Sequence, residues 1–438
     1  MAIGLVGSEM CIRDSLLFVS KFLPFKYFFH AIDIVRGKFN DKKSDGEISH
    51  FQALTTALSA TVGMGNIAGV AVAISIGGPG AIFWMWMSGI IGMSTKFFTS
   101  ALAVMYRGLD SAGKKQGGPM YFIVNGLGKK WFPMAMFFSF CGMVGALPVF
   151  NVNQLTQAIN DIVLKPNGFE VSLFSNAIIG LILIILTSIV ILGGLKRISR
   201  VSARIVPFMV GVYVISILAI LIVNYNNVPE YLYLIFYDAF NADYYSGNSA
   251  LGGVLGALII LGIRRGAFSN EAGIGMAPMA HGAAKTNNPI KEGFVAMLGP
   301  FIDTLMVCTM TALAILVTGA WKTQADGVSL TAAAFESSFS GVGNYILLAC
   351  VFVFSISSLF SYSYYGTKCL SFIAGDNNKK KYNYIYIISI MLGATTSLSM
   401  MINLIDTFFA LMAIPTMIAT LILAPKVLNE LKKYEIKR

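Results

Sequence analysis

Two short stretches carry residue types suited to holding a small charged molecule in an apolar setting. One is GMGN at residues 63–66, inside ALSATVGMGNIAGVAVAISIGGPGAIFWMWM (57–87). The other is AGIG at 272–275, inside GAFSNEAGIGMAPMAHGAAKT (266–286). Glycine costs a helix interior about 1 kcal/mol relative to alanine, so its clustering in helical, apolar sequence points to unwound backbone. In lipid, unwound backbone survives only where it lines a cavity or is buried in protein. Freed N–H groups at the start of a half-helix suit a carboxylate, and freed carbonyls suit a hard cation such as sodium. A single glycine pair is better explained by close helix packing. Two breaks in corresponding places, each beside polar residues, favour a site for a small zwitterion and an ion.

The elements that must position these breaks are membrane spans. The chain has 438 residues, 56% hydrophobic and 12% charged, with mean hydropathy +0.71; a soluble domain carries about 25% charged residues. The net charge of +11 reads as basic loops that orient a membrane protein, so no nucleic-acid partner is expected. Cys11, Cys141, Cys308, Cys350 and Cys369 show no metal-type spacing and are expected to be free thiols. Apolar runs long enough to span, roughly 20 residues each, lie near 52–76, 80–106, 132–158, 173–194, 204–223, 251–283, 292–319, 342–372, 383–401 and 404–425. Before them, residues 16–50 read as the remnant of a first span and its connection. Residues 1–15, MAIGLVGSEMCIRDS, resemble a translated sequencing-adapter read and are set aside as a non-native segment.

Counting the remnant as span one, the connections after odd-numbered spans hold the basic clusters. Lys129 and Lys130, Lys196 to Arg204, and Lys379 to Lys381 are examples; connections after even-numbered spans hold only Lys165 and Lys322. The positive-inside rule puts the first group, and the C-terminus, in the cytoplasm. Spans two and seven, the two broken ones, therefore run in opposite directions. The expected fold is all-α and polytopic, with about eleven helices, the first truncated, in a 5+5 inverted repeat. The first repeat is placed at 51–224, an extracellular connection at 225–250, the second repeat at 251–428 and a cytoplasmic tail at 429–438.

The stretches GEISHFQALTTALSATVGMGNIAGVAVAISIGGPGAIFWMW, GGPMYFI, GGLKRISRVSARIVPFM, FSNEAGIGMAPMAHGAAKTNNPIKEGFVAMLGPFIDTLMVCTMTALAIL and SYSYYGTKC resemble the alanine or glycine:cation symporter family. The resemblance runs from about residue 30 to the C-terminus. It implies a LeuT-like fold and uptake of alanine or glycine coupled to sodium, in some members to protons. It also implies site residues. Gly63, Gly65 and Asn66 would meet the substrate carboxylate, with Asn270, Gly273 and Gly275 opposite. Phe268 would pack against a substrate methyl, and Gln154 of NVNQLTQ would reach the ammonium or bridge helices. Sodium would lie between the carbonyls of Ser59, Val62 and Phe354 and the hydroxyls of Ser357 and Ser358; the same serines can instead bond back to their own helix.

Charged residues inside spans are functional candidates because their burial is costly. Lys96, Glu271, Asp303 and Asp406 qualify. Glu271 is expected to brace the second break or carry a gate contact. Asp303 is expected to pair with Lys96, Arg264 or Arg265, and Lys96 can alternatively snorkel. His281 is expected to be structural, the alternative being proton coupling. A channel would need a continuous pore. A membrane enzyme would need a nucleophile, metal or phosphate-binding motif, and none appears, so no catalytic activity or organic cofactor is expected. A sensor would add a signalling domain. The expected function is sodium-coupled symport of a small neutral amino acid across a bacterial-type inner (plasma) membrane, the alternative being another small neutral solute. No obligatory protein partner is evident.

Overall fold

The computed structural model describes residues 14–39, 44–110, 113–241, 251–323, 325 and 327–437. Residues 1–13, most of the segment set aside above, lie outside the described residues. Apart from an antiparallel hairpin of β1 (Gly108–Leu109) and β2 (Lys115–Gln116), the described chain is helices and their connections. α1 is Leu23–Val35. α2 is His50–Thr61, opened by a capping box in which Ser49 Oγ accepts from Gln52 N–H (3.2 Å) and Gln52 Oε1 accepts from Ser49 N–H (3.0 Å). α3 is Val70–Gly77, reached through a wide turn at Gly65–Gly69. α4 is Ala81–Met105, α5 Phe132–Gly145 and α6 Val149–Ile159. α7 is Leu173–Ile191 and α8 Gly194–Val223.

The second half repeats this pattern. After α9 (Val228–Asn241) come α10 (Leu251–Asn270), α11 (Ala277–His281), and α12 (Pro289–Pro300), which continues through the wide turn Phe301–Cys308 into α13 (Thr309–Val317). α14 (Gly327–Ser338), α15 (Gly343–Ala374), α16 (Lys379–Thr395) and α17 (Leu398–Lys437) complete it.

Among the described residues, six helical stretches are long and apolar enough to cross a membrane, and α2 with Gly65–Gly77, bent by 54°, makes a seventh. In α7 and α8 only 28% of the apolar window is buried. Their outward faces, with Phe174, Ile182, Ile189, Phe208, Ile215 and Ile222 exposed, are what lipid contact requires. α4 is the counterexample: buried on most sides, it carries Ser94, Thr95, Lys96, Thr99 and Ser100 into the interior and packs along α12 and α10.

Three boundaries differ from the sequence expectation. α8 begins at Gly194, ten residues before the apolar run at 204; its basic residues ride on the helix because their long stems reach past the apolar zone. The connection 225–250 contains α9, whose Asp238 carboxylate caps the start of α4 by accepting from Gly80 N–H at 2.7 Å. Between α13 and α15, α14 lies against the first break, where Thr331 Oγ1 donates to the Ile67 carbonyl at 3.4 Å.

Candidate substrate and ion site

The first break follows from two glycines and one asparagine. α2 ends at Thr61, and Val62 is extended at φ −76°, ψ 93°. The Asn66 side chain covers the gap, its Oδ1 accepting from Gly63 N–H at 2.8 Å. The N–H groups of Met64 and Gly65, at the start of the next helical segment, have no intrahelical acceptor. Gly65 faces the second break: a Cβ there would lie 3.5 Å from Ser269 Cα and 3.7 Å from the Phe268 ring.

The second break starts at Glu271, two residues before the first of its glycines. Glu271 is left-handed at φ +52°, followed by Gly273 at +86° and Gly275 at +103°. A non-glycine residue in this region costs about 1–2 kcal/mol, so the neighbours must hold it. Asn270 does so: its Oδ1 accepts from Ala272 N–H at 3.0 Å and its Nδ2 donates to Thr304 Oγ1 at 3.2 Å. Tyr362 donates its hydroxyl to Glu271 Oε1 at 2.5 Å, leaving the buried Oε2 without a partner among the described residues. Thr416 donates to the Ile274 carbonyl at 3.2 Å.

Asp303 ties the two breaks together. It is fully buried in the wide turn after α12. Its Oδ1 accepts from Asn66 Nδ2 at 2.7 Å, and its Oδ2 accepts from Ser269 Oγ at 2.9 Å and Thr304 Oγ1 at 2.8 Å. The expected pairing of Asp303 with Lys96 or an α10 arginine is not found. Arg264 instead bonds Asp406, with Arg265 4.0 Å from the same oxygen. Lys96 is buried against Gly299 and makes no ion pair among the described residues. The Asn66 amide also differs from expectation: its N–H groups are engaged with Asp303 and Ser269, so backbone N–H groups remain as the donors for a carboxylate.

The other expected residues divide. Phe268 sits at the junction, edge-on to Phe150 (5.5 Å) and beside Phe409 (5.6 Å). Gln154 donates to Gln157 Oε1 at 2.9 Å and turns its own oxygen toward Gly327 of α14. Asn151, one turn earlier on α6, brings its Oδ1 to 3.8 Å from where a Gly63 Cβ would be. Sequence reasoning passed over it, although the i, i+3 spacing in NVNQ places it on the Gln154 face. Gly275 is closely packed: an added Cβ would lie 2.6–2.8 Å from Thr416, Pro119 and Phe138. Gly275→Ala therefore combines overlap with a left-handed backbone. It is expected to destabilise the purified protein by about 1–3 kcal/mol, read as a lower melting temperature; an unchanged melt would mean the break relaxes freely.

α2 and α15 meet through hydroxyls on carbonyls. Ser59 Oγ donates to the Ser357 carbonyl at 2.6 Å, and Ser361 Oγ to the Thr56 carbonyl at 2.9 Å. Ser358 Oγ reaches both the Ala60 carbonyl (3.4 Å) and the Phe354 carbonyl (3.1 Å), and only the absence of a Cβ at Gly63 leaves room for it. Ser357 Oγ bonds the Phe354 carbonyl at 2.9 Å but lies beside Met209 Sδ at 3.4 Å. The donor set at Ser358 is all oxygen and uncharged, which suits a hard monovalent cation. Ser357 fits less well, since one side of its hydroxyl meets sulfur.

The model of the sodium:alanine symporter family matches residues 6–438. The sodium/alanine symporter AgcS of Methanococcus maripaludis is 40% identical over 419 residues, 93% of this chain and 89% of the relative. The probable sodium/glutamine symporter GlnT of Bacillus subtilis is 36% identical over 398 residues, 90% of this chain and 80% of the relative. Among solved structures, MhsT in complex with L-phenylalanine matches with a TM-score of 0.62 at 12% identity, over 86% of this chain and 89% of that one. That similarity concerns the fold, which is LeuT-like.

Proposed function

The chain belongs to the sodium:alanine symporter family, multi-pass membrane proteins that move amino acids with a cation and are not enzymes, and we propose that it takes up alanine or glycine with sodium by alternating access. The observation that carries the reading is the pair of facing breaks joined through Asp303. The substrate carboxylate meets the N–H groups of Met64 and Gly65, at the positive end of a half-helix. Phe268 packs against the substrate side chain. Its closeness to Gly65 leaves room for hydrogen or methyl and disfavours a longer chain. Asn151 and Gln154 line the α6 side. Gly63, Asn66, Asn270, Gly273 and Gly275 shape the breaks.

Sodium is held by the carbonyls of Ser59, Val62 and Phe354 and the Ser358 hydroxyl, with Ser357 turning toward it on loading. The ion supplies positive charge that holds α2 against α15. If ion and substrate favour the same state, each raises the affinity of the other. The halves 51–224 and 251–428 act as the inverted repeats. The basic connections and the C-terminal tail lie in the cytoplasm of a bacterial-type inner membrane.

The test is competition against labelled alanine uptake by unlabelled glycine, serine and glutamine. Glycine is expected to compete, serine to compete more weakly and glutamine to fail. Competition by glutamine at the strength of glycine would contradict the small-pocket reading.

A further inference from the structure

The chain entering α2 and the chain leaving α11 are tied at the basic end of the molecule. Glu47 and Ile48 N–H donate to the Ala283 carbonyl at 2.9 and 3.3 Å; Lys285 N–H donates to the Ile48 carbonyl at 2.6 Å and Thr286 N–H to the Asp45 carbonyl at 3.0 Å. Arg107, at the end of α4, donates to the carbonyls of Gly282 (2.7 Å), Thr286 (2.7 Å) and Ala284. Beneath this strap lies a three-residue cluster. The Glu292 carboxylate of α12 accepts from His281 Nδ1 at 2.6 Å and from His50 Nδ1. All three side chains are buried, at 3% for His50, 1% for His281 and 0% for Glu292. One carboxylate thus holds the first residue of α2 and the last of α11, the half-helices that run from the two breaks to the same end.

We propose that His50, Glu292 and His281 form a proton-holding lock on the cytoplasmic gate, closed when it holds a proton and released when the proton leaves to the cytoplasm. The inference rests on the transporter reading above. A carboxylate between two neutral imidazoles carries a net negative charge out of water, which is costly. One added proton, on a ring nitrogen, makes the cluster neutral and turns one contact into an imidazolium–carboxylate ion pair. When the gate opens, His50 leaves Glu292 with α2, and the ion pair that favours the added proton is lost. The proton enters and leaves on the cytoplasmic side, so it regulates opening and is not transported.

Other charged and titratable groups surround the lock. From α4, Arg107 stays charged throughout and acts on Glu292 through space. At the surface, Asp45 pairs with Lys115 at 2.6 Å, and the Lys115 ammonium keeps the Asp45 carboxylate pKa low. Glu47 and Lys285 lie on the strap and Lys291 beside Glu292. From α15, Tyr364 donates its hydroxyl to the Met279 carbonyl at 3.2 Å. His30 of α1 is bonded to Tyr434 Oη at 2.6 Å, outside the cluster.

The test is hydrogen exchange of segments 44–50 and 283–286 in the purified full chain, corrected for intrinsic rates, at about pD 5.5 and about pD 8. Wild type is expected to lose about tenfold or more of its protection over that range, as uptake of one proton by the closed state requires. His50→Gln with His281→Gln keeps a donor for each Glu292 oxygen but cannot hold the proton, and its protection is expected not to change with pD. Flat protection in wild type, or a wild-type-sized change in the double variant, would overturn the lock. Because no amino acid enters this measurement, a lack of alanine transport would count against the substrate reading alone.

Discussion

A Gly65→Leu variant is expected to lose alanine uptake to the level of empty vesicles while still inserting in the membrane. A Cβ at Gly65 already touches Ser269 Cα at 3.5 Å and the Phe268 ring at 3.7 Å. The further atoms of leucine must displace that ring or fill the space before the Met64 and Gly65 N–H groups. Overpacking of this kind costs about 1–3 kcal/mol, so Gly65→Ala serves as the companion. Its single methyl meets only ordinary van der Waals contacts; the variant should fold as wild type does and transport with reduced apparent affinity. Uptake by the leucine variant at the wild-type rate would remove Gly65 from the substrate site.

The second large effect is on sodium. Ser358→Ala is expected to raise the sodium concentration for half-maximal uptake about tenfold, equivalent to about 1.4 kcal/mol, close to the lower end of the range for a polar contact to a charge. Its hydroxyl reaches carbonyls on both α2 and α15. Ser357→Ala should shift the curve less, because that hydroxyl shares its surroundings with Met209 Sδ. In the double variant, saturating sodium should restore most alanine transport, since only coupling is lost. An unshifted sodium curve in Ser358→Ala would take α15 out of the ion site.

What was legible in the sequence is what depends on composition and local backbone. Long apolar runs marked the membrane class, and the alternation of basic loops marked orientation. The glycines of GMGN and AGIG marked the breaks because left-handed and unwound backbone selects glycine. The same logic misplaced the start of the second break: Glu271 carries a positive φ without being glycine, held by Tyr362 from 91 residues away. Contacts of that kind leave no local mark. Asn66 and Asp303 are 237 residues apart, and His50 and Glu292 are 242 apart. Residue types alone left Asp303 open to three partners, none of which it takes. α9 and α14 were read as connections because their polar faces and short lengths hide them among loop residues. Ser357 and Ser358 look equivalent in sequence, and only the approach of Met209 distinguishes them.

The most direct test of the proposed coupling is uptake of labelled alanine by the full chain in proteoliposomes, with an inward sodium gradient and with sodium equal on both sides. Accumulation above the external concentration under the gradient, collapsing to simple equilibration without it, is the expected result. Accumulation that is the same with and without the sodium gradient, or no alanine entry beyond that of empty vesicles, would contradict sodium-coupled alanine symport.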